Sequence, residues 1–419
     1  MELRYHEVFV PGGFPRYTYN PRVGLQLEDR LSEVRRNLCK LVTITGQTKS
    51  GKTVLARKII PQEESIWVDG GTVAEENDFW HVVIDGLSLF QEVSDEAGTE
   101  AATSTSGKVS GGFKLFGWGG TGEAGAEFAK GKSNNQGKTR TLSSRVVALK
   151  GLRDVGCPLV IDDFHYLPKE LQGTIVRALK PLIFDGLPVV IIAIPHRRYD
   201  AIKVEKEMTG RIHAIDIPVW SQEELTFIPR TGFDLLNYDV EQPVLSKLAD
   251  EAIGSPHLVQ EFCRGLSKQL GIDRADATRY TLAPEQEEIE RVFKDVATTI
   301  GRPIFDKLAR GPRQRTDRMQ RELKDGKTVD IYQLVLHALA HLKPGLVSLE
   351  YEDLRTAIRN VSATQIPQLQ EVARVLKHMA TIASTDQSST PVIDFEEDEK
   401  KLHVTDPFFA FFLRWGDLA

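Results

Sequence analysis

The chain has 419 residues, 41% of them hydrophobic, and a formal net charge of -6 at pH 7. That length accommodates two or three domains, and the acidic balance excludes a general affinity for polyanions, so any nucleic-acid surface must be local. Three isolated cysteines, Cys39, Cys157 and Cys263, form neither a disulfide framework nor a metal-ligand pattern and suit a reducing compartment.

The chain opens with MELRYHEVFVPGG, which lacks the basic and then apolar segments of a signal peptide. The longest apolar run, residues 187–195, is about half a membrane span. The expectation is a cytoplasmic protein without membrane contact. Next come a strand-like LVTI (41–44), a loop of small residues and a helix-like TVLARKII (53–60). IWVD (66–69) reads as a strand and NDFWHVVIDGLSLF (77–90) has helical spacing.

Residues 95–140 break the rhythm with a Gly-, Ser-, Thr- and Ala-rich insertion in which GFKLFGW and AGAEFAKG could pair as a hairpin. CPLVIDD (157–163) is a buried strand running into two carboxylates. A helix begun by Pro and closed by Gly follows over 168–186. LPVVIIAIP (187–195) and RIHAIDIPVW (211–220) are further strands. Apolar strands alternating with helices predict an α/β fold with a mainly parallel sheet covered on both faces.

Residues 221–275 read as a helical lid and 285–327 as charged helical segments. Three amphipathic helices, IYQLVLHALA, YEDLRTAIRN and IPQLQEVARVLKHMATIA, then precede PVIDFEEDEKKLHVTD, whose alternating arms flank a charged turn. Three helices and a hairpin predict a C-terminal winged helix, with the aromatic DPFFAFFLRW packed against it. The expected boundaries are an N-terminal segment 1–28, a core 29–220, the lid 221–275, a charged connector 276–330 and the winged helix 331–419.

Gly46, Gln47, Thr48, Lys49, Ser50, Gly51, Lys52 and Thr53 satisfy G-x-x-x-x-G-K-[ST] in full. In such a P-loop, glycines let successive amide N–H groups converge on phosphate oxygens, and the following helix adds the positive end of its dipole. Lys52 would reach the β- and γ-phosphates as a mobile charge, and Thr53 would offer a hydroxyl to Mg²⁺. Val54 continues the loop into the helix. The acid that completes such a site is expected at the end of a buried strand. Asp162 is placed to hold Mg²⁺ through water, and Asp163 to orient or deprotonate the attacking water; a helix cap is the plain alternative for the pair. Asp163 stands where many hydrolytic P-loop enzymes carry Glu, and the shorter arm predicts slow turnover. No guanine-reading segment stands out, so the nucleotide is taken as ATP.

GQTKSGKT, LVIDD, the strand ending in IAIPHRR, the Gly254-Ser255-Pro256 turn and the winged helix together resemble the STAND branch of AAA-related ATPases, cousins of the origin-recognition ATPases. FVPGGFPRYTYNPR resembles the segment that covers adenine in that group. The resemblance implies that Tyr19 and Arg22 lie near the adenine. His196 and Arg197 would sense the γ-phosphate, or be an ordinary polar strand end. Arg211 would be an arginine finger, or structural. Pro256 would set the lid against the nucleotide, or simply start a helix.

The resemblance also implies a division of labour: an ATP-driven switch, a homo-oligomer and an effector. The repeat sensor and effector domain usual in the group have no counterpart in these residues, so the expectation is either that the 95–140 insertion and the winged helix do the sensing or that the effector is a separate protein. Compact ATPases of this look resemble components of phage-defence systems. A rival reading is a DNA-binding ATPase similar to origin-recognition or transposition-regulating proteins, carried by Arg310, Arg313, Arg315, Arg318, Arg321, Lys324 and Lys327. Asp306, Asp317, Glu322 and Asp325 interrupt that stretch and the expected wing turn EEDEKK is acidic, so nucleic acid is not the favoured partner. A metabolic kinase is a third reading, weakened because no acceptor-binding domain is evident.

Overall fold

The computed structural model describes all residues except 1–2, 37, 90–142, 195–207, 209, 314–316, 346–347, 385–390, 398 and 419. The anticipated hairpin in the insertion lies outside the described residues. In chain order the first elements are α1 (Tyr5–Val8), α2 (Leu27–Ser32), β1 (Leu41–Gly46), α3 (Lys52–Ile59), β2 (Ile66–Asp69), α4 (Glu76–Gly86), α5 (Ser144–Val155), β3 (Leu159–Asp162), α6 (Lys169–Phe184), β4 (Val189–Ala193) and β5 (Ile212–Ile217).

The five strands form one parallel sheet in the order β2-β3-β4-β1-β5. Val42, Ile44, Val160, Val190 and Ile192 point to one core with α2 and α3; Leu41, Ile161, Val189 and Ile191 point to another with α4, α5 and α6. Alternate residues thus serve opposite faces, which is why these strands are apolar throughout. β4 lies between the P-loop strand β1 and the acid-bearing strand β3, so the carboxyl ends of β1, β4 and β3 meet along one edge of the sheet.

The lid comprises α7 (Gln222–Leu235), β6 (Tyr238–Val240), α8 (Gln242–Glu251), α9 (Pro256–Gln269) and β7 (Tyr280–Leu282). Ser221 and Glu224 cap α7 reciprocally, at 3.2 Å and 2.8 Å. A 25-residue helix, α10 (Gln286–Arg310), follows. The expectation of helix through to 327 fails beyond Arg310. Gly311 and Pro312 stop the helix, and β8 (Arg321–Glu322) pairs antiparallel with β9 (Thr328–Val329) around Asp325-Gly326.

The C-terminal elements are α11 (Ile331–His341), β10 (Ser348–Glu350), α12 (Tyr351–Val361), α13 (Leu369–Ser384), β11 (Ile393–Glu396), β12 (Lys401–Val404) and α14 (Pro407–Trp415). Strands order as β10-β12-β11, and with α11–α13 they make the winged helix. α14 is more widely shared than expected. Phe412 packs on Phe305 of α10, and Phe411 meets both Phe262 of α9 and Phe293 of α10. Trp415 donates to Glu251 of α8 at 2.8 Å. One apolar core therefore runs from Val8 and Phe9 through the lid and α10 to Leu413.

Candidate functional site

The P-loop leaves β1 at Gly46 and turns through left-handed backbone at Lys49 (φ 62°) and Gly51 (φ 91°) before α3 begins. A residue with a Cβ is strained at Gly51, so the loop's second glycine is a conformational requirement. Lys52 is buried, and its Nζ donates to the carbonyls of Gly46 (2.9 Å) and Gln47 (2.8 Å). Burial lowers its pKa to about 8, against the opposing pull of Asp163 and Asp162. Trp220, between β5 and α7, donates from its indole to the carbonyl of Ser50 at 2.9 Å. The loop is thus tied to the hinge of the lid.

At the end of β3, Asp162 accepts from the Thr53 hydroxyl at 3.4 Å and from the Asp163 N–H at 2.9 Å. Burial raises the Asp162 carboxyl, with the two hydrogen bonds opposing it. Asp163 sits in left-handed backbone at φ 49°. Burial, then Asp162 and Asp69, raise its pKa to about 6. Asp69 stands opposite Asp162 in the β2–β3 register and was not anticipated; its acid follows a short strand without a motif to mark it. Among the described residues no group of three or more His, Cys, Asp or Glu is arranged to hold a metal. The Thr53–Asp162 pair instead fits Mg²⁺, which usually takes one or two protein oxygens and completes its shell with phosphate and water.

The opposite wall comes from both ends of the chain. Tyr5 N–H donates to the Asp273 carbonyl and Ala275 N–H to the Leu3 carbonyl, sewing the first residues to the lid. Gln260 of α9 donates to Thr18 at 2.7 Å and accepts from the Val10 N–H at 3.1 Å. Arg22 forks onto both Glu224 carboxylate oxygens at 2.8 Å and also donates to the carbonyls of Pro218 and Val219. Its guanidinium lies 4.7 Å from the Trp220 ring centroid. Burial would raise the Glu224 carboxyl, but the bonds from Arg22 and Ser221 hold it below its ordinary value. Half-buried Tyr19 stacks on Phe14; burial and a bond to Glu28 raise its hydroxyl well above the ordinary range.

Between these walls lies a cavity of about 390 Å³. Of the anticipated residues, Tyr19, Arg22, Thr48, Lys49, Ser50, Gly51, Lys52, Thr53, Val54, Asp163 and Pro256 line it. Gly46, Gln47 and Asp162 are not among the residues that line it. Arg22 borders the cavity with its guanidinium engaged by the lid, so it serves as a brace as well as a wall. Pro256 both lines the cavity and opens α9, behind the Ser255 cap. Arg211 immediately precedes β5, at the end of the sheet away from the P-loop, with its guanidinium 5.2 Å from the Phe184 ring centroid. It therefore does not reach its own cavity. His196 and Arg197 lie outside the described residues; Ile194, just past β4, lines the cavity. Trp220, His257, Val392 and Asp406 also line it and were missed, since only folding brings them there.

No family model matches the sequence, and no curated protein matches it. Among solved structures, a Walker-type ATPase of Pyrococcus abyssi is similar at 15% identity and TM-score 0.51, covering 93% of this chain and 94% of that one. A Cdc6 protein of Pyrobaculum aerophilum is similar at 12% identity and TM-score 0.46, covering 98% of each chain. A STAND protein of Pyrococcus horikoshii with a tetratricopeptide repeat sensor is similar at 15% identity and TM-score 0.36, over 95% of this chain and 44% of that one. The chain has the fold of a P-loop nucleotide-binding protein, with a helical lid and a C-terminal winged helix.

Proposed function

We propose that the chain is an ATP-binding, slowly hydrolysing switch whose nucleotide state governs how its C-terminal half is held. The observation that carries this reading is the single cavity lined by Lys52, Thr53 and Asp163 on one side and by Pro256, Val392 and Asp406 on the other. A nucleotide in that cavity touches the ATPase core, the lid and the winged helix at once, so its affinity must differ between arrangements of the three.

Binding requires Lys52 to leave the Gly46 and Gln47 carbonyls and turn to the phosphates, where the P-loop N–H groups converge. Tyr19 and Arg22 border the cavity on the side of the N-terminal segment and would flank the base. Thr53 and Asp162 would hold Mg²⁺, which when bound neutralises charge on the phosphate oxygens. Asp163, with its pKa raised to about 6, is suited to orient or deprotonate the attacking water. Its short arm favours slow turnover; a misplacement of about 1 Å can cost on the order of a hundredfold. His196 and Arg197 would read the γ-phosphate from the chain after β4. Arg211, remote from its own cavity and packed on Phe184, is either structural or an arginine finger for the cavity of another copy.

In this reading the ATP form assembles into a homo-oligomer and presents a surface to a separate effector. Anti-phage defence is the biological setting that the resemblance suggests, and it rests on that alone. The DNA-binding reading stands as the alternative; in its basic stretch Arg318 pairs with Asp330 at 2.6 Å and Arg321 with Glu371 at 4.0 Å.

The test is the mass of the purified protein by light scattering, alone, with ADP, and with ATP and Mg²⁺. ATP should raise it, and Asp163→Ala should prolong the larger form. A mass indifferent to ATP under conditions where ATP binds would remove the switch.

A further inference from the structure

One hydrogen bond in the cavity wall fixes more than the two segments it joins. Trp220 stands just before Ser221, the cap of α7, and its indole N–H donates to the Ser50 carbonyl at 2.9 Å. The peptide between Ser50 and Gly51 is trans and planar, so its carbonyl and the Gly51 N–H point in opposite directions. Pinning the carbonyl to Trp220 therefore turns the Gly51 N–H away from Trp220. That N–H has no acceptor among the described residues, although Ser50 and Gly51 both line the cavity. The Ser50 hydroxyl beside it is also buried without a partner. Two unspent donors at one corner of the loop are left for a ligand, since buried donors are otherwise nearly always paired.

The loop's own sequence does not hold this peptide plane. Gly51 has φ 91°, and a glycine moves between backbone wells at little cost. The restraint comes from outside the loop. A Cβ on Gly51 would lie 4.0 Å from the Trp220 ring, so the indole rests beside that residue while bonding to the one before it. Trp220 is held in turn by the N-terminal segment. The Arg22 guanidinium lies 4.7 Å from its ring centroid and donates to the carbonyls of Pro218 and Val219 immediately before it.

Resting on the nucleotide-binding reading, we propose that Trp220 is a positioning residue that presets the P-loop for phosphate. Its N–H holds the Ser50–Gly51 peptide with the Gly51 N–H turned to the phosphates. Without that bond the loop is competent for only a fraction of the time, and its apparent affinity falls by that fraction. Because Trp220 sits at the hinge of the lid under Arg22, the seating of the lid and of the N-terminal segment sets how well the core grips phosphate.

Replacing the Trp220 indole by benzothiophene, through an unnatural amino acid, removes the N–H and keeps the shape of the ring; Trp220→Phe is the simpler companion. Two probes are titrated with Mg²⁺ into the full chain, ADP by calorimetry and inorganic pyrophosphate by competition against a fluorescent ADP. Both should weaken by the same factor, about threefold to tenfold for one lost hydrogen bond. Should Trp220→Phe fail to fold, the isostere decides alone. Weakened ADP with unchanged pyrophosphate makes Trp220 a wall for the base and overturns the proposal, as does unchanged affinity for both. Pyrophosphate that fails to compete in the wild type overturns it too, because the loop is then not preset for phosphate. A wild type that binds no ADP is a different result, in which the nucleotide reading itself falls.

Discussion

The P-loop wall of the cavity and the wall opposite it are assembled over different distances along the chain. Residues 46–54 form the first as one continuous turn between β1 and α3. The second gathers Tyr19 and Arg22, Trp220, Pro256 and His257, Val392 and Asp406 from segments spread over most of the sequence. The first wall is rigid because it hangs from a central strand of a parallel sheet. The second is held by a few specific bonds, Arg22 to Glu224 and Trp220 to Ser50 among them. A binding loop on a fixed sheet, faced by a wall that meets it through a handful of contacts, is the geometry in which a ligand can choose between arrangements.

The largest effect on that contrast should come from cutting its main brace. The Arg22 side chain is 3% exposed and that of Glu224 is 24% exposed. Arg22→Ala leaves a partly buried carboxylate and two backbone carbonyls without their donor. It should cost about 3–4 kcal/mol of stability, read by chemical denaturation, with the lid unfolding separately from the core. Arg22→Ala combined with Glu224→Ala should recover part of the loss.

Lys52→Ala attacks the other wall alone. Removing one partner of a buried charged contact should weaken ATP binding by about 2–3 kcal/mol, roughly 30- to 150-fold. Calorimetry reads the affinity, and the melting temperature should not fall, since the Lys52 ammonium donates to the loop carbonyls of Gly46 and Gln47. A variant that binds ATP like the wild type would show that the P-loop wall is not where the phosphates sit.

These two residues also mark what the sequence could and could not disclose. GQTKSGKT and LVIDD carry their chemistry in adjacent positions, so the strand, the turn and the acids were legible together, as were the parallel sheet and the winged helix. Arg22 was placed near the base by resemblance, but its engagement with Glu224 depends on two segments 202 residues apart. Trp220 and Asp406 carry no local motif, and only tertiary packing turns them towards the cavity. The missed hairpin at 321–329 had a local signal in Asp325-Gly326, hidden by charged flanks that also suit an exposed helix.

Packing behind the second wall offers a gentler perturbation. A Cβ on Gly301 of α10 would come within 2.3 Å of the Phe412 Cβ in α14. Gly301→Ala must therefore push the two helices apart and should cost about 2 kcal/mol in denaturation. The P-loop itself is untouched, so any change in the preference between ADP and ATP would report the coupling of α14 to the cavity.

The smallest effect separates the two walls without a mutation. Lys52 has its pKa lowered from 10.5 to about 8 by burial. The unfolded chain therefore binds more protons than the folded one between those values, so this group makes stability rise with pH across the window from about 8 to 10.5. Nucleotide binding asks for the opposite charge state, because the phosphates are met by an ammonium. At pH 9 only about a tenth of Lys52 would carry its proton, and affinity should fall about tenfold relative to pH 7. Calorimetry in buffers of different ionisation enthalpy should show proton uptake on binding at pH 9 and little at pH 7. Stability and affinity moving in opposite directions over one window assigns the proton to the P-loop wall. Parallel movement would place the titrating group among the bonds that hold the second wall.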